Sequence, residues 1–239
     1  MAKPMSISKN QALMTMLQDV MNLTCPDHPH TVRMDGDAIF HVGYDRLKEM
    51  QSNIGSEAWG LVYALFQKPE YVENANAALE YARFSLRRDG PLLYKTPTAT
   101  PQLPSNSPNY KYPDGIFESD IVVQMMRKLL TMYKTSHKTD HPTGGLALVM
   151  TALDRAFLAC ERKGGVMPTG PESKSDQFGQ AQYGALIDEY MCTIQRLSNN
   201  HWQHLLTLYG HPTPEAQPQP DTIQLVNHSR SDLFIPFKD

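Results

Sequence analysis

The 239-residue chain has little cysteine and no long hydrophobic run. Its three cysteines, Cys25, Cys160 and Cys192, are an odd number without paired spacing, which argues against a disulfide framework. No stretch reaches the roughly 18 consecutive apolar residues of a membrane span. The first five residues are not followed by the apolar core of a secretory signal. We therefore expect an intracellular protein, in the cytoplasm or the nucleus, that makes no membrane contact.

Basic charge and catalytic motifs are also scarce. The chain has 22 Lys and Arg against 25 Asp and Glu, a net charge of -3, which excludes a generally basic nucleic-acid-binding protein. It contains no Gly-x-Ser-x-Gly, His-Glu-x-x-His, dinucleotide-binding or kinase motif. Cys160 and Cys192 fall within apolar helical patterns, where buried, inert thiols are usual. These absences favour a protein that is not an enzyme and needs no cofactor, although a site can also assemble from distant residues.

Proline, by contrast, is abundant and unevenly placed. Six of the 18 prolines lie between Pro91 and Pro113, and four more lie between Pro212 and Pro220. Because proline interrupts helices, both stretches are predicted to be irregular. The sequence therefore predicts a single helical domain over residues 1–211 with a proline-rich loop at 91–113, followed by a proline-rich tail at 212–239.

Helical periodicity covers most of the remaining chain. It predicts helices over residues 8–22, 56–67, 69–88, 119–134, 143–163 and 176–197, and a last one around 202–209. Apolar side chains cover most faces of the helix near 143–163, so we expect it to be the buried central helix. Two β-capable runs flank Asp35-Gly36, which suits a type I′ turn and predicts a small β-hairpin near 31–42. The expected fold is mainly α, an irregular multi-helix bundle.

One local charge pattern suggests contact with nucleic acid. Nine Lys and Arg stand against four Asp and Glu between Tyr81 and Lys138. If two predicted helices were neighbours, their basic side chains could together contact phosphates. The candidates are Arg83, Arg87, Arg88, Arg127, Lys128, Lys134 and Lys138. The alternative is that these basic side chains simply lie on helix faces exposed to solvent and bind no nucleic acid.

Two histidine-rich segments are weaker candidates for chemistry. Cys25, His28 and His30 are of the types that bind zinc, but a structural site needs four ligands and no second pair has standard spacing. A proline-rich surface turn is the favoured interpretation of these residues. The segment from His137 to His141 precedes Gly144-Gly145 at a helix start, where an anion could bind. A plain connection between helices is the favoured interpretation of this segment.

The tail contains an apolar cluster that no predicted helix needs. Leu233, Phe234, Ile235 and Phe237 could dock on their own domain or serve a partner as a short extended peptide.

Residues 75–210 resemble an uncharacterised α-helical domain family common in fungi, especially basidiomycetes. The resemblance rests on a series of packing motifs: Leu92-Leu93-Tyr94-Lys95, residues 113–121 opening a helix, residues 147–153, Gly164-Gly165, Phe178, Tyr183, Tyr190 and Leu205-Leu206. It implies a helical fold and a fungal source. Since the family has no established activity, no functional residue is carried over from it.

The leading hypothesis is a non-catalytic, intracellular α-helical interaction protein that binds a protein partner or associates with itself. One alternative is a nucleic-acid-associated protein that uses the basic faces near 83–88 and 127–138. Another is an enzyme or metal protein that uses the histidine-rich loops.

Overall fold

The computed structural model describes residues 11–98, 107–132, 141–171, 178 and 180–210. Eight α-helices and two short β-strands make up this part of the chain: α1 (Gln11–Thr24), α2 (Ala38–Phe66), α3 (Pro69–Val72), α4 (Ala75–Ser85), β1 (Tyr94–Thr96), β2 (Asp114–Ile116), α5 (Asp120–Met132), α6 (Thr143–Arg162), α7 (Gln180–Ile194) and α8 (Asn199–Leu208). The predicted mainly α fold is thus confirmed.

Helix α6 is the centre of the main hydrophobic core. Thirteen of its 20 residues are buried, and α2, α4, α5 and α7 all pack against it. The central helix predicted near 143–163 is therefore confirmed. By length and composition alone α6 could cross a membrane, but 72% of its most apolar 18-residue window is buried inside the protein. Burial of that apolar surface against four other helices accounts for its composition.

The small antiparallel sheet is present, but the predicted position near 31–42 is wrong. Strands β1 and β2 pair with Tyr94 opposite Ile116 and Thr96 opposite Asp114. Residues 31–37 are irregular instead, and residue 38 begins α2. Strand β1 lies inside the proline-rich segment 91–113, so that segment is not irregular throughout its described part.

Side-chain caps determine where two of the helices begin. Asp37 has extended backbone, and its carboxylate accepts a hydrogen bond from the Ile39 N–H at 2.8 Å, so α2 begins before the predicted helix at 56–67. The Asn74 side chain accepts from the Ala77 N–H at 3.0 Å. This second cap starts α4 and divides the helix predicted over 69–88 into α3 and α4.

A second, smaller hydrophobic cluster joins α1 to the beginning of α2. Its buried members are Leu13, Val32 and Phe40, with Leu17 and Met21 packed around them. These residues form a cluster separate from the core around α6. Helix α1 therefore packs against the rest of the described structure mainly through α2.

Candidate functional site

The basic residues predicted at the end of α4 are mostly engaged with carboxylates. Arg83 Nε lies 3.3 Å from a carboxylate oxygen of Glu161. Arg87 donates two hydrogen bonds to Asp89, at 3.0 and 2.8 Å. Within the described part of the chain, Arg88 alone of these three forms no ion pair, and it is exposed. A continuous phosphate-binding face would need more unpaired cations here.

The basic residues of α5 are similarly occupied. The guanidinium group of Arg127 donates to the backbone carbonyl of Leu208 at 2.9 and 3.2 Å, which satisfies the C-terminal end of α8. Lys128 pairs with Glu57 on α2. The remaining two candidates, Lys134 and Lys138, lie outside the described residues. Helix α4 packs against α3 and α6, whereas α5 packs against α2 and α6.

The histidine-rich turn after α1 is built around a carboxylate. His30 Nε2 lies 2.8 Å from Asp37 Oδ2, and this pairing together with backbone hydrogen bonds lowers the pKa of Asp37 to about 2. Cys25 and His28 do not join them as metal ligands. No group of three or more His, Cys, Asp or Glu side chains is placed to hold a metal ion in the described ranges. The arrangement is that of a helix cap supported by a histidine.

The other chemical candidates have ordinary structural roles where they are described. His141 stacks on Trp202 with ring centroids 4.9 Å apart. Cys160 is buried, and burial raises the pKa of its thiol to about 11, which leaves little thiolate at neutral pH. The expectation that Cys192 is buried is wrong, because Cys192 is exposed on α7. The apolar tail cluster around Phe234 and the segment 137–140 lie outside the described residues.

The structure instead reveals a cavity that we call the inner cavity, between α4, α6 and α7. Its volume is about 150 Å³. Apolar side chains form much of its wall: Leu86, Leu92, Leu93 and Leu186. Six polar or charged residues also line it, from α4 and the turn after it, α6 and α7: Ser85, Arg87, Arg88, Asp154, Glu189 and Tyr190. The cavity therefore combines a leucine-lined wall with charged groups of both signs.

Asp154 and Tyr190 form a hydrogen-bonded pair at this cavity. The Tyr190 hydroxyl donates to Asp154 Oδ2 at 3.1 Å. Burial raises the pKa of Asp154 to about 6, with the charge of Glu189 acting in the same direction and the Tyr190 hydrogen bond opposing it. Burial also raises the pKa of Tyr190. Strongly shifted groups in a cleft are more often functional than groups on the open surface.

Ser85 contributes a buried polar group beside this cavity. The residue is 1% exposed, and its Oγ interacts with the Tyr81 side chain without reaching full hydrogen-bond geometry. A buried hydroxyl without a hydrogen bond is unfavourable by about 1–3 kcal/mol.

A larger depression, of about 600 Å³, which we call the outer groove, is lined mainly by residues of α2, α5 and the segment around β1. Tyr81 lines it one turn before Ser85 on α4, and Phe157 lines it about one turn after Asp154 on α6. Lys68, Lys95 and Asp120 all line it, so its charge is mixed. This outer groove shows no preference for ligands of one sign of charge.

Helix α1 carries the other unusual surface. Met16, Val20 and Leu23 are 55%, 53% and 76% exposed, although each is a large apolar side chain. They are spaced i, i+4 and i+7, so on a helix of 3.6 residues per turn they lie within about 60° of one another. We call this surface the outer face of α1; Leu13, Leu17 and Met21, whose positions are centred about 90° further round the helix, pack on α2.

Sequence reasoning missed both features for physical reasons. Asp154 interrupts the apolar run of α6, which could have marked it, but Tyr190 is 36 residues away. Their meeting depends on how α6 and α7 are rotated against each other. Periodicity identifies the apolar side chains of α1, but it does not show that they cover a wider arc than α2 buries.

Comparison of the chain with known protein families, with curated proteins and with solved structures found no match.

Proposed function

We propose that this chain is a non-catalytic, intracellular α-helical interaction protein that self-associates through the outer face of α1. The observation that carries the proposal is the stripe of Met16, Val20 and Leu23 on that face. Contiguous patches of exposed apolar side chains often mark surfaces that another molecule covers. Apolar side chains scattered singly over a surface carry no such meaning. The three free cysteines are consistent with a reducing intracellular location.

The charge of α1 favours a second copy of the chain as the occupant. Asp19 is the one charged residue among residues 11–24. A partner selected by charge complementarity would need more charges around the apolar stripe than this helix offers. A symmetric contact places the same surface on both subunits, so an uncharged apolar stripe can pair with itself without repulsion. Two copies of α1 would then cover each other's Met16, Val20 and Leu23.

The test is the oligomeric state of the full chain, measured by light scattering over a range of protein concentrations. We expect a dimer that dissociates on dilution, and we expect Val20→Glu to be monomeric because it places a charge in the contact. Val166→Glu is the matched control, since Val166 is 61% exposed and lies after α6, away from α1. A wild-type monomer at every concentration would contradict the proposal.

The apolar tail residues are the competing occupant of this face. If residues 212–239 covered it, a chain lacking them would dimerise while the full chain stayed monomeric. The proposal requires the full chain and the shortened chain to dimerise alike. A difference between them would assign the outer face of α1 to the tail.

The alternatives receive less support from the described residues. Arg83, Arg87 and Lys128 are paired with carboxylates, so a nucleic-acid interface would have to break three ion pairs. The resemblance of residues 75–210 to the fungal helical family remains part of the proposal, supported by the mainly helical fold.

A further inference from the structure

We propose that the apolar cluster of the tail, residues 233–237, docks in the outer groove of its own chain. Three features carry the proposal: the shape and apolar floor of the groove, the place where the described chain ends, and the composition of the tail. The outer groove and the outer face of α1 share no residue, so this contact is independent of self-association.

The outer groove is elongated along α2 and α5. Glu57 on α2 and Lys128 on α5 form an ion pair that joins the two helices. Leu61 and Gln124 each lie one helical turn from that pair, on α2 and α5 respectively, and both line the groove. From there it continues to the end of α2 and the start of α5, a distance of about 10 Å along the helix axis. A groove of this shape suits an extended segment of chain.

The floor of the outer groove is apolar and incompletely covered. Leu61, Leu65, Tyr81 and Ile121 pack against the main core but remain partly exposed. Beneath them Phe157 is buried, with its ring centroid 6.3 Å from that of Tyr81. The three charged residues of the groove are exposed to solvent, so its apolar floor decides what binds there. A contiguous, partly exposed apolar surface of this kind often marks a contact with another segment or molecule.

The described chain ends beside the α5 wall of this groove. The Arg127 guanidinium group donates to the Leu208 carbonyl at 2.9 and 3.2 Å, which holds the end of α8 against α5. Arg127 lies one turn after Gln124, and Gln124 lines the groove. Gly210, two residues after Leu208, is therefore no more than about 20 Å from Gln124.

The tail is long enough to return to the groove. Residues 211–232 separate Gly210 from the apolar cluster, a connection of 22 residues. A chain of that length has a root-mean-square end-to-end distance of about 25 Å as a coil, and it reaches about 70 Å when fully extended. A tether that matches the distance it must span gives an effective concentration in the millimolar range. A contact too weak to join separate molecules would therefore be populated within one chain.

The tail cluster is the segment outside the described residues that best fits the groove. Leu233, Phe234, Ile235 and Phe237 stand within five positions, whereas residues 1–10, 99–106, 133–140 and 172–177 contain no two adjacent large apolar residues. Pro236 fixes its own φ and disfavours the helical region for Ile235, so this sequence favours extended backbone. Five extended residues span about 16 Å, which is comparable with the length of the groove.

The first experiment compares methyl NMR spectra of the wild-type full chain and of a full chain with both Phe234→Ser and Phe237→Ser. We expect the methyl signals of Leu61, Leu65 and Ile121 to shift, because removing the two rings changes the magnetic field in the groove. We also expect nuclear Overhauser contacts between these methyl groups and the two rings in the wild-type protein. Unchanged groove signals together with no such contacts would overturn the proposal.

The same spectra distinguish the other destinations of the tail. Shifts at the Leu23 methyl groups instead would place the tail on the outer face of α1, and shifts that vanish on dilution would assign the contact to a second copy of the chain; either result would overturn the proposal. Leu205, which is fully buried in α8, is the internal control and should not shift. Repeating the comparison with Val20→Glu in both proteins should give the same shifts, so failure of self-association and failure of tail docking are told apart.

The second experiment changes the groove and measures the tail. Ala64 is exposed and lines the groove, so Ala64→Glu adds bulk and charge there without removing a core contact. Chymotrypsin cleavage within residues 233–237, followed by mass spectrometry, should be about two- to tenfold faster in this variant than in the wild type, because cleavage tracks the undocked fraction. Ala185→Glu, at an exposed alanine on α7, is the matched control and should be cleaved at the wild-type rate. Equal cleavage rates in all three full-length proteins would overturn the proposal.

Discussion

At the scale of single residues, Arg155 links the central helix to α2. Its side chain is buried, and its Nη2 donates to the Gly55 carbonyl at 2.7 Å. The guanidinium carbon lies 5.1 Å from the ring centroids of both Trp59 and Phe178, so the cation is held between two aromatic faces. Conserving its charge would therefore preserve only part of what the residue does.

We predict that Arg155→Ala lowers the free energy of unfolding by about 3 kcal/mol, because a cavity replaces the side chain and the Gly55 carbonyl loses its donor. Arg155→Lys should lower it by less, since the charge can still contact the rings. Urea unfolding of the three proteins measures both changes. A loss below about 1 kcal/mol for the alanine variant would show that these contacts contribute little.

For Asp154, the neighbouring residue, we predict that its carboxyl makes the free energy of unfolding depend on pH. Its native pKa of about 6 lies above the ordinary value of 3.8, because the buried carboxyl is easier to keep protonated. The native state therefore binds this proton more tightly than the unfolded chain does. The free energy of unfolding should fall as the pH rises from about 4 to about 6, and remain lower above that range.

Asp154→Asn removes this titration, so it should raise the free energy of unfolding at pH 7 by about 1–3 kcal/mol. It should also flatten the stability profile between pH 4 and pH 6. Urea unfolding of both proteins at several pH values measures the two effects. Parallel profiles would show that the Asp154 carboxyl titrates alike in the native and unfolded states.

At the scale of elements, the end of α6 shows how two adjacent glycines differ. The Gly165 N–H donates to the Cys160 carbonyl and the Gly164 N–H to the Glu161 carbonyl, each at 3.0 Å, which is the glycine-dependent C-terminal cap of a helix. Both have positive φ, +66° for Gly164 and +91° for Gly165. A Cβ on Gly164 would meet no atom within 4 Å, whereas one on Gly165 would lie 1.9 Å from the Ala75 carbonyl oxygen.

We therefore predict that Gly164→Ala lowers the free energy of unfolding by about 1 kcal/mol, from backbone strain alone. Gly165→Ala should lower it by about 3 kcal/mol or more, because α4 must also move away from α6. Thermal or urea unfolding of the two variants measures both losses. Gly164→Ala serves as the control, because it introduces the backbone strain without the contact to α4. Equal losses would show that the contact between this turn and the start of α4 is easily relaxed.

The same scale shows what the sequence could predict and what it could not. The bodies of α5, α6 and α8 follow from apolar periodicity, because each buries one stripe or most of its surface. The hairpin near 31–42 was wrong because Asp-Gly suits a β-turn locally, whereas the cap at Asp37 and the packing of Phe40 against α1 favour a helix. Long-range packing outweighed a local turn preference there.

The candidate sites were less predictable than the helices. The basic residues were identified correctly as cations, but their partners, such as Glu57 for Lys128 and Leu208 for Arg127, lie 71 and 81 residues away. Charge density along a sequence does not distinguish a cation free to bind phosphate from one already paired. The inner cavity is likewise formed by residues from three helices, and no local pattern marks it.

At the scale of the whole molecule, self-association through α1 predicts that stability depends on protein concentration. A dimer that dissociates on unfolding gains about 1.4 kcal/mol for each tenfold rise in concentration, because unfolding separates the two chains. For two chains of this length, the midpoint temperature should rise by about 2 °C per tenfold. Val20→Glu should abolish this dependence without lowering the monomer's own stability by more than a few tenths of a kcal/mol, because the replaced side chain is exposed. Calorimetric scans at several concentrations measure the shift, with Val166→Glu expected to follow the wild type. A midpoint that does not change with concentration in the wild-type protein would place the outer face of α1 in a contact other than a dimer.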